Sequence, residues 1–361
     1  MKKYLWIVGI IVVIIIAALV LSNTSPTPVG EKQTVKVGLN LPLTGGLAFL
    51  GEPMKKSAEL ALKDAGVTKY NYELVFEDDQ FSPKLSATAA SKLINIDKVL
   101  AIIEFGSGTG NAINSIAETG KTVEFSLASD PTVAKGVYNY IHWTPPFKEG
   151  QLLAQEMIKK GFKKISIIDT NHPGTLAVTN AVKDSLKNSG VEIVSYDITN
   201  VGDKDFKTII TKVKKANPDI VFLQMFSPEI EIAARQMKEL GIKVPVTSVE
   251  AIEWSNDVSL FEGDWFVSDT VSPNYAAKFK TAYGTDAMAG SAYVYDLVTM
   301  LISLQEKSDK VINPADLPGI ITKMGTWNSP VFGKVKIDSE GFFITEPSVK
   351  MIKDGKVVST N

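Results

Sequence analysis

Cysteine is absent from the sequence, and histidine occurs only as His142 and His172. Without thiols and with so little imidazole, disulfides, thiolate nucleophiles, zinc clusters and most imidazole-based acid/base arrangements are excluded. Arginine is nearly absent too, since Arg235 stands alone among 38 basic residues. A bidentate guanidinium clamp for phosphate or a dicarboxylate therefore has almost no source. Neither sign of charge is in excess. The 38 basic and 40 acidic residues leave a net charge of −2, so there is no electrostatic footprint for nucleic acid. No nucleophile with a paired base and no metal cluster can be assembled, so neither an enzyme nor a cofactor is expected. What remains is ordinary globular composition, 45% hydrophobic and 22% charged, in 361 residues. That length exceeds what one hydrophobic core usually fills, so two lobes are expected.

At the N-terminus Lys2 and Lys3 precede an uncharged apolar run, Leu5 to Leu21, and the stretch from Ser22 to Gln33 is rich in Ser, Thr, Pro and Gly. The pattern is a secretion signal, with residues 1–22 as signal sequence or membrane anchor and 23–33 as a linker. A cleaved signal has an apolar centre of roughly 7 to 15 residues and a membrane span about 20, and this run lies between them. No Ala-x-Ala pattern follows it and no cysteine is available to carry a lipid, which favours an uncleaved anchor. Either way the lysines stay on the cytoplasmic side and the remainder is exported.

From Val35 onward, short β-branched runs alternate with longer helical periods, the pattern of βαβ units and a parallel sheet. Strands are expected at Val35 to Leu41, Tyr72 to Glu77, Ala101 to Phe105, Thr122 to Phe125, Lys164 to Ile168, Glu192 to Asp197, Ile220 to Met225, Val244 to Val249 and Trp265 to Ser268. Amphipathic helices fall between them, and Gly161, Gly190 and Gly241 fit helix stops. The order is that of a doubly wound α/β fold, twice over.

Three places bring polar groups to the carboxyl ends of strands, where open α/β sheets bind ligands. The strand ending at Phe105 runs into Gly106-Ser107-Gly108-Thr109-Gly110, with a helix expected from about Asn111. Free N–H groups and two hydroxyls there make an anion site that suits a carboxylate. The glycine spacing is neither G-x-G-x-x-G nor a Walker pattern. The same run also reads as a helix start whose hydroxyls only cap. A second cluster, Ser126-Leu127-Ala128-Ser129-Asp130-Pro131, follows the next strand and is equally compatible with an ordinary turn. In the second half Glu250 follows the strand ending at Val249, placed to face an ammonium across a cleft, with Glu253 as competitor; a lone Glu there also reads as a solvated loop carboxylate. His142, His172, Trp143 and Trp254 read as packing or loop residues, and Asp78-Asp79 as a turn or helix cap.

Several dispersed matches, in order, resemble one family. They are Val37-Gly38-Leu39-Asn40-Leu41-Pro42-Leu43-Thr44-Gly45 up to Gly51, the helix Ala58 to Ala65, Glu77-Asp78-Asp79 with Pro83 and Ala89 to Leu93, Ser227-Pro228-Glu229, Arg235-Gln236 to Gly241, and Tyr295-Asp296. From about Val35 to the C-terminus the chain resembles the leucine/isoleucine/valine-type substrate-binding proteins of ABC transporters, which have the type I periplasmic-binding-protein fold. The resemblance implies two α/β lobes crossed three times, near His142 to Thr144, Val267 to Thr270 and Gly333 to Val335. Residues 34–142 with 270–333 would form one lobe, and 143–269 with 334–361 the other. It places the carboxylate of an amino-acid ligand at Ser107, Gly108 and Thr109 and at Ala128, Ser129 and Asp130, and the ammonium at Glu250. Leu50 matches a position over the ligand, and Gly174, Phe226 and Ser227 match second-lobe positions lining the cleft. The chain departs from the pattern at Asp130, where the family has a hydroxyl, at Gly108, which stands where a serine occurs, and at Pro173 and Ser227, where tyrosines are common. The implied role is extracytoplasmic capture of a branched-chain or other neutral amino acid by a monomer, for delivery to an ABC permease. A sensory ectodomain of the same fold is the alternative.

Overall fold

The computed structural model describes residues 32–288 and 290–360. The expected signal sequence or anchor and nearly all of the expected linker lie outside the described residues. Among the described residues no helix is long and apolar enough to cross a membrane.

The chain alternates as the periodicity requires. It runs β1 (Thr34–Leu41), α1 (Ala48–Asp64), β2 (Asn71–Asp78), α2 (Pro83–Lys92), β3 (Ala101–Phe105), α3 (Ser107–Gly120), β4 (Val123–Leu127) and β5 (Asn139–Trp143). It then crosses to α4 (Pro146–Lys159), β6 (Lys164–Thr170), α5 (Pro173–Leu186), β7 (Glu192–Thr199), α6 (Lys207–Ala216), β8 (Ile220–Gln224), α7 (Glu229–Glu239), β9 (Val246–Thr247) and β10 (Trp265–Asp269). It returns through α8 (Pro273–Tyr283), α9 (Ser291–Glu306), α10 (Leu317–Met324), β11 (Thr326–Ser329), β12 (Gly333–Ile337) and β13 (Phe342–Ile344), and ends in β14 (Pro347–Lys353) and β15 (Lys356–Ser359).

The first lobe is built on one sheet of order β11-β12-β13-β5-β4-β3-β1-β2. Its strands from β13 to β2 are mutually parallel, and β11 and β12 form an antiparallel edge. The second lobe repeats the order in β7-β6-β8-β9, all parallel, joined through the Val249–Val267 bridge to an antiparallel sheet β10-β14-β15. Both halves thus have the order 2-1-3-4, whose reversal beside the first strand opens a crevice at the carboxyl edge. Apolar clusters cover both faces of each sheet. Strands buried on both sides need largely apolar sequence, which β8 (IVFLQ) supplies up to its last residue and β3 (AIIEF) supplies except at the buried Glu104.

Three boundaries differ from the sequence reading. Helix α3 begins at Ser107, not near Asn111, so the glycine-rich run is its first turn and Gly106, at φ 118°, is the residue before it. The strand expected over Val244 to Val249 pairs with β8 only at Val246 and Thr247, because Pro245 has no N–H and the chain then swings to bridge Val267. The third crossing lies at residues 345–346. Gly333 to Val335 are in β12, which is paired on both sides within the first sheet. The crossings are laced together, with Thr144 Oγ1 2.9 Å from Thr345 Oγ1 and 3.0 Å from the Tyr293 hydroxyl.

Candidate functional site

A cavity lies between the carboxyl edges of the two sheets. Ser107, Ala128 and Ser129 line it from the first lobe, and Gly174, Phe226 and Glu250 from the second. The structure therefore brings these six expected residues to one place.

On the first wall, Ser107 opens α3, and the N–H groups of its first turn have no carbonyl partner within the helix. The Ser107 hydroxyl accepts hydrogen bonds from the N–H groups of Ser129 (3.1 Å) and Asp130 (3.0 Å). Both lone pairs are then occupied, and its own proton is left to donate. Helix start and hydroxyl together form a pole that favours negative charge.

On the second wall Glu250 is 3% exposed and holds a backbone φ of 60°, in the left-handed region. For a residue with a long side chain this conformation costs of order 1–3 kcal/mol and persists because the surroundings enforce it. Its N–H donates to the Val267 carbonyl (2.7 Å), and its Oε2 accepts from the Trp143 indole N–H (3.1 Å), which ends β5 at the hinge. Burial, and then the nearby Glu149 and Asp269 carboxyls, push the Glu250 carboxyl well above the usual range. No lysine or arginine among the described residues pairs with it.

The rest of the cavity is apolar. Phe81, Phe105, Trp143, Trp254 and Val178 line it together with Phe226. Two polar side chains of its wall are held by backbone. Thr175 Oγ1 donates to the Thr170 carbonyl (2.6 Å), and Gln224 Oε1 accepts from the Val249 N–H (3.1 Å). His172 accepts from the Gly174 N–H through Nδ1 (3.2 Å), which assigns the proton of the neutral ring to Nε2. Burial lowers its pKa to about 4, so the ring is neutral at neutral pH. It stacks on Phe81 with centroids 5.4 Å apart, and Phe81 meets Phe226 edge-on at 5.7 Å, so aromatic contacts span the lobes.

Five expected site residues do not line the cavity. Leu50 is 1% exposed within the first-lobe core, because α1 starts early enough to turn it onto the sheet. Phe81 covers the cavity instead, from a loop whose Gln80 and Phe81 both have positive φ and in which the Phe81 N–H donates to Asp79 Oδ1 (2.8 Å). Thr109 turns its hydroxyl back onto the carbonyls of Phe105 (2.8 Å) and Gly106 (2.9 Å). The Asp130 carboxylate caps the turn at Pro131–Ala134 and accepts from Asn111, so only its N–H faces the site. Ser227 donates to Glu231 and accepts from Asn256, both at 2.7 Å, and braces the loop carrying Trp254. Gly108 sits at the rim, where an added Cβ would lie 3.3 Å from His172 Nε2.

Conversely, Phe81, Phe105, Trp143, His172 and Trp254 line the cavity, although the sequence reading left them as core, loop or packing residues. The available signal was positional: Phe105, Trp143 and His172 each lie at or just beyond the carboxyl end of a strand. Phe81 had none beyond being an aromatic in a polar loop. Asp78 and Asp79 hold turns, as expected of them: Asp78 accepts from the N–H groups of Leu43, Thr44 and Gln80.

Opposite charge preferences on facing walls, with aromatic surface between them, suit a small zwitterion with an apolar side chain. Comparison with known proteins agrees in fold and family. The model of the periplasmic binding protein family matches residues 34–349. The Leu/Ile/Val-binding protein homolog 2 of Brucella abortus is 25% identical over 326 residues, covering 85% of this chain and 87% of that one. A leucine binding protein from Thermotoga maritima superposes with a TM-score of 0.80 at 24% identity, covering 91% of this chain and 98% of its own. A branched-chain amino acid transporter substrate binding protein from Streptococcus pneumoniae, solved with isoleucine, gives 0.81 at 20% identity with the same coverage.

Proposed function

The chain belongs to the periplasmic binding protein family, and from that premise we propose that it captures a neutral amino acid between its lobes outside the cytoplasm and delivers it to an ABC permease. The observation that carries this reading is Glu250: a buried carboxyl in a strained backbone conformation, without a cationic partner among the described residues, facing a helix start that favours an anion. An α-ammonium and an α-carboxylate satisfy both poles at once. The side chain then lies among Phe81, Phe105, Phe226 and Trp254, an aromatic surface that suits an apolar group. Closure about the laced crossings buries both charges and reports occupancy to the permease. Binding, rather than bond making, is the whole of the proposed activity.

Thermal unfolding against the free amino acids tests the reading. A ligand bound only by the native state at about a hundred times its Kd adds about 2.7 kcal/mol of stability. Truncating one partner of a buried charge pair costs roughly 2–5 kcal/mol. Glu250→Ala is therefore expected to weaken binding by about 30-fold to several thousand-fold. No stabilisation by any neutral amino acid, or equal stabilisation of the variant, refutes the proposal.

A further inference from the structure

The first turn of α4 brings a second carboxyl to Glu250, from outside the cavity lining. Glu149 is fully buried, and among the described residues no N–H and no hydroxyl donates to either of its carboxyl oxygens. Its carboxyl meets that of Glu250 within hydrogen-bond reach: Glu149 makes Glu250 harder to ionise, while the contact with Glu250 eases the ionisation of Glu149 against its burial, the pattern of one proton held on the Glu250 side. The groups packed around the pair do not supply a counter-charge. Trp143 of β5 donates one neutral N–H to Glu250. Tyr293 of α9 and Asp269 of β10 bring a phenol and a third carboxyl. The buried Lys350 of β14 is held by Glu253 (3.0 Å) and Asp269 (3.4 Å). Two ionised carboxylates side by side, out of water and without a cation, are not sustainable; one proton between them is the remedy that dry carboxylate pairs adopt. Titration of such a pair belongs to both members jointly.

We propose that Glu149 and Glu250 share one proton while the cleft is empty and give it up when the ligand's ammonium reaches Glu250, so that capture exchanges a proton for a cation. Glu149 acts through Glu250 as a positioning residue. It keeps the anchor neutral until a cation arrives. The exchange rests on the amino-acid reading of the site; the shared proton does not.

The signs follow. Burial raises the pKa of both carboxyls in the folded state, and Glu149 raises that of Glu250 further. In the empty protein the pair's contribution to stability is fully present below the unfolded glutamate pKa, about 4.3. It is lost as pH rises through the folded pKa, the unfolding constant changing by up to tenfold per pH unit. Affinity moves the other way and rises by up to tenfold per pH unit until the pair has lost its proton.

The test has two arms. Without ligand, urea unfolding of wild type and of Glu149→Gln is measured from pH 5 to 9, with Glu250→Gln as a second variant. The amide supplies the missing N–H without a titrating group. The ratio of variant to wild-type unfolding constants is expected to fall as pH rises; a ratio that stays constant in both variants overturns the shared proton. With leucine as probe, calorimetric titration in buffers of different ionisation enthalpy is expected to show about one proton released per leucine at pH 7 by wild type and almost none by Glu149→Gln. Binding without proton release overturns the exchange. If neither leucine nor any other neutral amino acid binds, the reading of the site fails and the exchange fails with it, while the ligand-free arm still decides whether the proton is shared.

Discussion

Gly174 offers a substitution whose effects on stability and on binding have opposite signs. It is the second residue of α5, its backbone lies outside the left-handed region, and it lines the cavity opposite Ser107 of the other lobe. Alanine at a compatible position restricts the unfolded chain and stabilises by about 0.4–1 kcal/mol. The open protein should therefore be no less stable in Gly174→Ala. Closure is different. The new Cβ would lie 2.9 Å from Ser107 Oγ and 3.5 Å from His172 Nδ1. Ser107 cannot yield easily, because its hydroxyl already accepts two backbone N–H groups. Overpacking of this kind costs about 1–3 kcal/mol, and here the cost falls on the closed state alone. Affinity is expected to drop by roughly 5-fold to 150-fold. Gly108→Ala, whose Cβ would stand 3.3 Å from His172 Nε2, is the milder control. Calorimetric titration with the amino acid that most raises the midpoint of thermal unfolding measures the first effect, and urea unfolding of the empty protein the second. Affinity within twofold of wild type, with stability retained, would show that the lobes do not approach this closely around the ligand.

Two further substitutions test the frame around the site. Glu104, buried in β3, has its carboxyl raised by burial and then by Glu124 beside it. Its contribution to stability is lost as pH rises above the ordinary glutamate range through the folded value, so Glu104→Gln should gain on wild type by at most about 1.4 kcal/mol per pH unit in a urea series; parallel curves would refute this. Gly150 in α4 packs so closely on α5 that a Cβ would fall 2.7 Å from the backbone carbonyl of Ala181. Backbone cannot swing aside as a side chain does, and Gly150→Ala is expected to cost about 1–3 kcal/mol, read as a lower urea midpoint with unchanged slope.

Much of this architecture was determined by the sequence alone, because the periods are local. Short, mainly apolar runs such as AIIEF and IVFLQ are stable only between two helical layers, and their alternation with amphipathic helices leaves little choice but parallel, doubly wound lobes. The carboxyl ends of those strands then marked Ser107, Ala128, Ser129 and Glu250. What only the tertiary structure decided depends on elements distant in sequence. The third crossing shifted because β12 finds partners in β11 and β13, a pairing that no local pattern encodes. Asp130 and Thr109 sit in the expected stretches, yet their side chains satisfy neighbouring backbone and Asn111 rather than the cavity. The aromatic wall unites Phe81, Trp143, His172 and Trp254 from four separate loops and strand ends, and each is unremarkable in its own stretch of sequence. Glu149 is the clearest case. One turn into a helix it reads as a favourable charge near the helix start, and only the tertiary fold turns it into a buried carboxyl set against that of Glu250 with no cation beside it.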